Sequence, residues 1–233
     1  MKKISIIFVV LMVLGACVAY GAHYEKEGPY ISYVSGEVDM EFRDNDGNSV
    51  EIEAARINMT LPVNSIVKTG HSSLCDITMP DGSTIRLASN TYFKLDSLEL
   101  SLSDRKQNAV FSLIRGQVKA KIGRLLNKDS GFCIMTDTAL AGVRGTIYGV
   151  DSRIDETDVL VFKGEVEVSS TQGKFAPFVV RRGQMVTVYD FAPTQPTDIS
   201  EETKEAWDEE LKRPGLLGFG IFGGFLLLLL ILI

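Results

Sequence analysis

The sequence predicts an all-β protein, an antiparallel jelly-roll-like β-sandwich followed by one short helix and a transmembrane tail. Two observations predict the sandwich. Short runs of alternating apolar and polar residues recur between Tyr30 and Asp190, and turn signals separate them with no long helical pattern in between. Many short strands in such close succession are typical of antiparallel sandwiches and barrels. We expect strands at residues 37–42, 75–79, 132–136, 157–162 and 185–189.

Turn signals rich in Asp and Gly separate these runs. The clearest is Asp81-Gly82, because a two-residue hairpin turn of the primed kind requires positive φ, which Asp-Gly readily adopts. Asp81 is therefore expected to be a turn residue rather than a ligand or a catalytic acid. Other acids fall in similar clusters, and we expect them in solvated loops: Asp44, Asp46, Asp151, Asp155 and Glu156. Residues 44–48 resemble only half of a calcium-binding loop.

A short pattern recurs through the body, in which a glycine is followed by Glu or Gln and then by an apolar residue. Three copies contain Gly36, Gly116 and Gly164, and a weaker fourth contains Gly183. Each glycine is expected at a bulge or a tight corner between strands, with the valine two positions later facing inward. The copies are unevenly spaced, so they indicate a reused corner and not a solenoid repeat.

The most distinctive stretch is residues 136–150, TDTALAGVRGTIYGV, in which small residues surround one charge. Small residues let a backbone approach its neighbours closely. Arg144 would then be buried, and its donors would satisfy backbone carbonyls or a carboxylate. The alternative is that Arg144 contacts an anion or a partner. The candidate residues of this stretch are Thr136, Thr138, Gly142, Arg144, Gly145 and Thr146.

TDTALAGVRGT resembles the T-x-T-A-x-A-G-V-R-G-T signature of the FecR (ferric-citrate regulator) domain family. Similar blocks occur at 67–87, 111–125, 157–168 and 183–188, so the resemblance covers roughly residues 28–190. It implies a jelly roll. It also implies a periplasmic domain that receives a signal from an outer-membrane receptor and passes it to a cytoplasmic sigma factor.

The first residues resemble a secretory signal sequence, which we place at 1–22. Lys2 and Lys3 precede an apolar run that is too short to span a membrane comfortably. Cleavage within 14–17 would follow a lipoprotein pattern and leave Cys17 acylated, whereas 19–21 suits ordinary signal peptidase. An uncleaved signal anchor is a third reading. All three readings of the N-terminal segment place the β domain outside the cytoplasm, in the periplasm.

The FecR-like β domain is expected at 28–190, and a linker with a short acidic helix at 191–214. Ser200 is the expected N-cap of this helix, and Pro214 ends it. Residues 215–233 carry no charge and are long enough to span a bilayer, which predicts a membrane anchor. Gly220 and Gly224 have the spacing that brings two membrane helices together, so a homodimer through the tail is an open alternative.

The sequence contains no pattern for a catalytic, metal or cofactor site. Its two histidines, His23 and His71, have no Cys, Asp or Glu cluster beside them at metal-ligand spacing. The net charge of −6 argues against a nucleic-acid partner. Alternation places Cys75 and Cys133 on opposite faces of their strands, so we expect no disulfide between them.

Two functions follow. The first is a non-catalytic, membrane-tethered binding or scaffolding module of the cell envelope, with a protein or a glycan as partner. The alternative is a FecR-type signal-transduction component that regulates a sigma factor in response to an outer-membrane receptor and acts with separate chains. Only Met1, Lys2 and Lys3 precede the apolar run, so we expect no cytoplasmic segment of this chain to contact a sigma factor.

Overall fold

The computed structural model describes residues 28–44, 46–101, 106–123 and 130–210, and these form an all-β protein with one short helix, as predicted. The strands are β1 Tyr30–Ser35, β2 Val38–Arg43, β3 Ser49–Ala54, β4 Ile66–Thr69, β5 Leu74–Thr78, β6 Thr84–Leu87, β7 Tyr92–Ser101, β8 Lys106–Lys121, β9 Gly131–Met135, β10 Ala139–Val143, β11 Ile147–Arg153, β12 Glu156–Lys163, β13 Glu165–Ser170, β14 Phe178–Arg181, β15 Gln184–Tyr189 and β16 Thr197–Asp198, and the helix is α1 Glu201–Glu210.

Several sequence predictions concern segments outside the described residues. These are the signal sequence at 1–22, the lipobox with Cys17, His23, the end of the acidic helix at Pro214, the Gly220 and Gly224 pair, and the anchor at 215–233. Within the described ranges, no helix is both long enough and apolar enough to cross a membrane.

The strands form two sheets that share β8. Sheet I has the order β1-β5-β6-β8-β11-β12-β15-β16, and sheet II has the order β3-β2-β4-β7-β8-β9-β10-β13-β14. Residues 106–115 of β8 pair within sheet II, and residues 116–121 pair within sheet I. All pairs named here are antiparallel except β8 with β9, which is parallel and departs from the purely antiparallel prediction.

One apolar core lies between the two sheets. Burial alternates along the first half of β8, as expected for a strand with one face inward. Phe111 of β8 stacks on Phe93 with ring centroids 4.9 Å apart and lies 5.3 Å from Phe132. Residues of both sheets belong to this cluster, so the two sheets form one two-layer unit.

The four predicted corner glycines have positive φ, which confirms that prediction. The φ angles are 77° at Gly36, 91° at Gly116, 86° at Gly164 and 83° at Gly183. The valines two positions after the first three glycines are buried. Because L side chains rarely adopt positive φ, glycine is the residue that fits these corners.

A Ser or Thr hydroxyl from a neighbouring segment lies against each of the first three corners. Ser73 Oγ accepts a 2.9 Å hydrogen bond from the backbone N–H of Glu37, directly after Gly36. Thr91 Oγ1 accepts one of 3.1 Å from Gln117 N, directly after Gly116. At the third corner the direction is reversed, and Thr146 Oγ1 donates to the carbonyl oxygen of Glu165 at 2.9 Å. The repeated pattern thus includes a polar partner from elsewhere in the chain.

The hairpin at Asp81-Gly82 is present, but its loop has three residues instead of two. Met79 N donates to Ser83 O at 2.8 Å, and Gly82 has positive φ of 80° whereas Asp81 does not. Pro80 explains the difference, because its fixed φ suits the first position of an ordinary type I turn and leaves the left-handed conformation to Gly82. Asp81 accepts hydrogen bonds from the backbone and hydroxyl of Ser83 at 2.9 and 2.8 Å, as a turn residue does.

The segment after β15 lies on sheet I. Residues 192–198, predicted as a linker, are hydrogen-bonded along β15 and include β16. Ser200 caps α1, since its Oγ accepts a 3.0 Å hydrogen bond from Thr203 N, which confirms that prediction. Trp207 is only 6% exposed, and Lys119 Nζ donates to Asp208 at 2.6 Å. The helix is therefore docked on the outer face of sheet I.

Candidate protein-binding groove

A groove of about 790 Å³ crosses the outer face of sheet II. Strands β8, β9, β10 and β13 form most of it, and Val179 of β14 lies at one end. It is shallow and open, which suits a chain segment of another molecule better than an enclosed small ligand. Its lining includes Asn108, Val110, Cys133, Gly142, Arg144 and Glu167.

Gly142 of the signature stretch helps to form this groove. A Cβ placed on Gly142 would meet nothing nearer than 3.9 Å, the distance to the carbonyl oxygen of Glu167. The space above β10 is therefore open because a side chain is missing there. On the other face of β10, Ala139 and Ala141 are both 1% exposed and pack in the core. Because side chains alternate along β10, small alanine side chains lie on its inward face, and Gly142 leaves its outward face without a side chain.

Arg144 is exposed, and the prediction that it is buried is wrong. The reason lies in the register of β10, whose inward positions are Ala139, Ala141 and Val143. Arg144 directly follows the last of these and lies at the edge of the groove. Its charge is consequently available to solvent at a surface that also has two exposed carboxylates, Glu165 and Glu167.

The two threonines of the signature connect the sheets. Thr136 Oγ1 and Thr157 Oγ1 are 2.7 Å apart, and Thr138 Oγ1 donates to Thr157 Oγ1 at 2.8 Å. The same hydroxyl proton is shared with the carbonyl oxygen of Val188, which lies 3.2 Å from Thr138 Oγ1. Thr157 and Val188 belong to sheet I, whereas the two signature threonines flank the turn between β9 and β10 of sheet II. These hydroxyls are therefore structural and hold one end of the sandwich closed.

The remaining signature residues shape the turn after β10. Gly145 has a φ of 67°, and Thr146 is fully buried beside the corner at Gly164. Ile122 N donates to Thr146 O at 2.9 Å and ties this turn to the end of β8. Of the predicted site residues that the structure describes, only Gly142 and Arg144 thus line the groove.

Cys133 lies in the lining of the groove and is partly exposed, while Cys75 is fully buried in the core. Both are free cysteines in the structure. Burial raises the pKa of each thiol to about 12. Because the thiolate is the reactive form, both thiols are neutral and poor nucleophiles at neutral pH.

The acids predicted in solvated loops fall into two groups. Asp44 is in a loop, and backbone and side-chain hydrogen bonds from Asn48 lower the pKa of its carboxyl group. Asp151 and Glu156, in contrast, are strand residues, so the loop prediction is wrong for them. Arg153 contacts both, at 2.6 and 2.5 Å, and also Asp158 at 2.6 Å.

Burial raises the pKa of Asp151, and nearby Arg153 opposes that effect. His71 is exposed in its turn. Throughout the described part of the chain, no three His, Cys, Asp or Glu side chains are placed to hold a metal ion.

Sequence reasoning missed the part of the groove that β8 supplies, including Asn108 and Val110. These residues meet Gly142 only because β8 pairs in parallel with β9, which in turn pairs with β10. A parallel pair has no hairpin between its strands, so no local turn signal identifies it. The alternating pattern of β8 was the available signal. It predicts on which face of the sheet a residue lies, but not which residues of other strands lie beside it.

Residues 65–167 match the family model described as FecR protein, so this part of the chain is a FecR domain, as the resemblance indicated. No curated protein matches the chain. Two crystal structures of a candidate anti-sigma factor from Parabacteroides distasonis ATCC 8503 are similar in fold. They have 18% and 16% sequence identity and TM-scores of 0.50 and 0.48. In each case the similarity covers 61% of this chain and 63% of the solved one.

Proposed function

We propose that this protein is a regulatory, non-catalytic FecR-type signalling component whose groove binds a protein partner. One observation carries the proposal: every residue lining the groove except Val179 falls within residues 65–167, the segment that matches the FecR family. The groove is thus a property of the FecR domain itself and does not depend on the segments around it.

The surface chemistry of the groove supports a protein partner. Its middle is apolar or lacks side chains, at Val110, Cys133 and Gly142, while Arg144, Glu165 and Glu167 supply charge. Protein interfaces commonly combine an apolar centre with a polar rim, and arginine is enriched in them. A glycan or scaffold partner has less support, because nothing besides general exposure favours it.

The class of partner is proposed from the family. The family resemblance implies a link between an outer-membrane receptor and a sigma factor, and the similar solved structure is of a candidate anti-sigma factor. We infer that this chain regulates a sigma factor in response to such a receptor, together with separate chains. This role requires the exported, membrane-anchored topology predicted from residues 1–22 and 215–233.

A transcription measurement in the native cell tests this function. Replacement of the chromosomal copy by an Arg144→Glu variant reverses the charge at the groove. We expect this variant to change the expression of a defined set of sigma-dependent genes severalfold, in the same direction as deletion of the gene. Arg182→Glu is the matched control, because Arg182 is also exposed and does not line the groove.

Equal protein levels of both variants, measured by immunoblot, must accompany the comparison. Deletion without any change in sigma-dependent transcription would contradict the signalling function. An equal response of the two arginine variants would contradict the assignment of the groove.

A further inference from the structure

Strand β3 is an uncovered edge of sheet II. It pairs with β2 only, across residues Asp39–Arg43. The other sheet edges are covered or short. Backbone hydrogen bonds from Ile31 N to Met59 O and from Asn58 N to Ile31 O cover β1. β14 has four residues and β16 has two. Among the described residues, β3 is therefore the sheet edge with the longest uncovered backbone.

The backbone of β3 presents hydrogen-bonding groups to this open side. Ala55 N donates to Val38 O at 2.8 Å, so position 55 is directed toward β2. Hydrogen-bonding direction alternates along an antiparallel strand. The N–H and C=O groups of Ile52 and Ala54 are consequently directed away from β2. Only another extended strand satisfies such groups in series.

The side chains of β3 do not protect the edge. Val50 is 67% exposed and Ile52 is 57% exposed. Natural edge strands are commonly blocked by lysine, proline or a bulge within the strand. Ser49–Ala54 contains neither lysine nor proline, and its one bulge lies at the end opposite Arg43. Its two charges, Glu51 and Glu53, are both acidic, so they disfavour an acidic strand but not a basic one. The edge thus has the features of a strand that is used for pairing.

The charge of β3 distinguishes between two possible binding partners, a second copy of this chain and a segment of another protein. Glu51 alternates with Ile52 and is exposed, and it forms no ion pair with any described residue. Glu53 is paired with Arg56 at 2.7 Å. In an antiparallel pair with a second copy, the registers that are centred on Glu51 or Ile52 and match the sheet faces would place Glu51 opposite Glu51 or Glu53 of that copy. Like charges directly opposite each other are destabilising, so a second copy is a poor occupant.

We propose that β3 binds an extended segment of a partner protein whose residues alternate between basic and apolar, and which adds one strand to sheet II. The apolar residues would lie beside Val50 and Ile52, and the basic ones beside Glu51. This edge lies at the opposite end of sheet II from the groove, so the proposal goes beyond the proposed function and does not depend on it.

Two synthetic peptides of equal composition test the proposal against the full-length protein. In one, four lysines alternate with three valines; in the other, the same residues stand in two blocks. Calorimetric titration at physiological salt measures the affinity of each. We expect the alternating peptide to bind at least about tenfold more tightly, because only its side chains match both the apolar and the acidic positions.

Variants of β3 identify the site. Ile52→Pro removes an N–H that faces the open side without removing a bond to β2, and edge strands tolerate proline. Glu51→Lys reverses the charge. We expect each to weaken binding of the alternating peptide about tenfold or more, while Glu202→Lys on the exposed face of α1 changes it less than about twofold.

A second measurement keeps the test independent of the variants. Methylation of alternate backbone nitrogens of the alternating peptide should abolish its binding to the unmodified protein. The methylated nitrogens can no longer donate the backbone hydrogen bonds that pair the peptide with β3. Equal affinity of the two peptides, unchanged binding by Glu51→Lys, or undiminished binding of the methylated peptide would each overturn the proposal. Concentration-dependent dimerisation lost in Glu51→Lys would overturn it in favour of a second copy.

Discussion

At the scale of single residues, the corner glycines explain how so many strands change direction within a short chain. Gly116 lies where β8 passes from one sheet to the other. Its φ is 91°, and a Cβ there would lie 2.6 Å from Cα of Thr91. Two requirements thus coincide at this position, the left-handed backbone and the close approach of a neighbouring segment. Sequence reasoning identified the first from the repeated pattern but had no means to identify Thr91.

Gly116→Ala should lower the free energy of unfolding by more than about 3 kcal/mol. The cost combines left-handed strain of about 1–2 kcal/mol with displacement of the backbone at Thr91. Gly173→Ala is the matched control, because Gly173 has a φ of 70° with nothing within 4 Å of an added Cβ. Its cost should be about 1 kcal/mol. Urea unfolding of both variants measures the difference, and equal losses would contradict this account of the corner.

A buried carboxylate gives the protein an acid-sensitive contact. Glu41 is only 3% exposed, and the ion pairs with Lys68 and Arg43 lower the pKa of its carboxyl group below 4.5. A group whose pKa is lowered by folding stabilises the folded state above its unfolded pKa. That contribution is lost as the pH falls through the folded pKa.

Glu41→Gln should therefore lower the urea midpoint at pH 7, and the difference from the unmodified protein should shrink below about pH 4.5. Midpoints at pH 7 and pH 3 measure this. Glu202→Gln, at an exposed position, should leave the midpoint unchanged at both. A Glu41→Gln difference that persists unchanged at pH 3 would mean that the ionised carboxylate is not responsible.

At the scale of elements, α1 depends on one niche in sheet I. A Cβ on Gly149 of β11 would lie 2.6 Å from Cη2 of Trp207, so the indole occupies the space that a side chain would take. Phe162 meets the same indole edge-on at 6.0 Å. A helix of ten residues is marginal on its own. Docking of Trp207 therefore maintains the helix.

Gly149→Ala should undock α1 without unfolding the sandwich. Hydrogen exchange is expected to show rapid exchange of the α1 amides, while the amides of β8 and β11 stay protected. Trp207→Ala should give the same pattern. Gly142→Ala is the control, because an added Cβ there lies on the other sheet and makes only an ordinary contact, 3.9 Å from the carbonyl oxygen of Glu167. Protected α1 amides in Gly149→Ala would contradict the role of the niche.

Five of the sixteen described strands were predicted, because their alternation is a local signal. The expected runs lie within a residue of β2, β5, β9, β12 and β15. β3 was not predicted, although its residues alternate between polar and apolar. It is an edge strand whose side chains are mostly exposed, so this alternation does not correspond to a buried face. The exposure of Arg144 was also missed. The small residues around it suggested close packing, but Gly142 serves the outer face and only the alanines serve the core.

At the scale of the whole molecule, sharing of β8 sets the positions of the candidate surfaces. The strand contributes to both sheets, so the core is continuous and each sheet has one outer face. The outer face of sheet I has α1, and that of sheet II has the groove. The FecR segment therefore presents its groove on the face opposite to the docked helix, where a partner can reach it.

In-cell photo-cross-linking tests the central claim, that the groove binds a regulatory protein, most directly. A photoreactive residue at Glu167, in the groove, is compared with one at Ile154, which is 90% exposed and does not line it. The account predicts that Glu167 alone yields a discrete cross-linked protein, identified by mass spectrometry as a receptor or a sigma-pathway component, and that Arg144→Glu abolishes it. The same products from both positions, or a Glu167 product unaffected by Arg144→Glu, would contradict it.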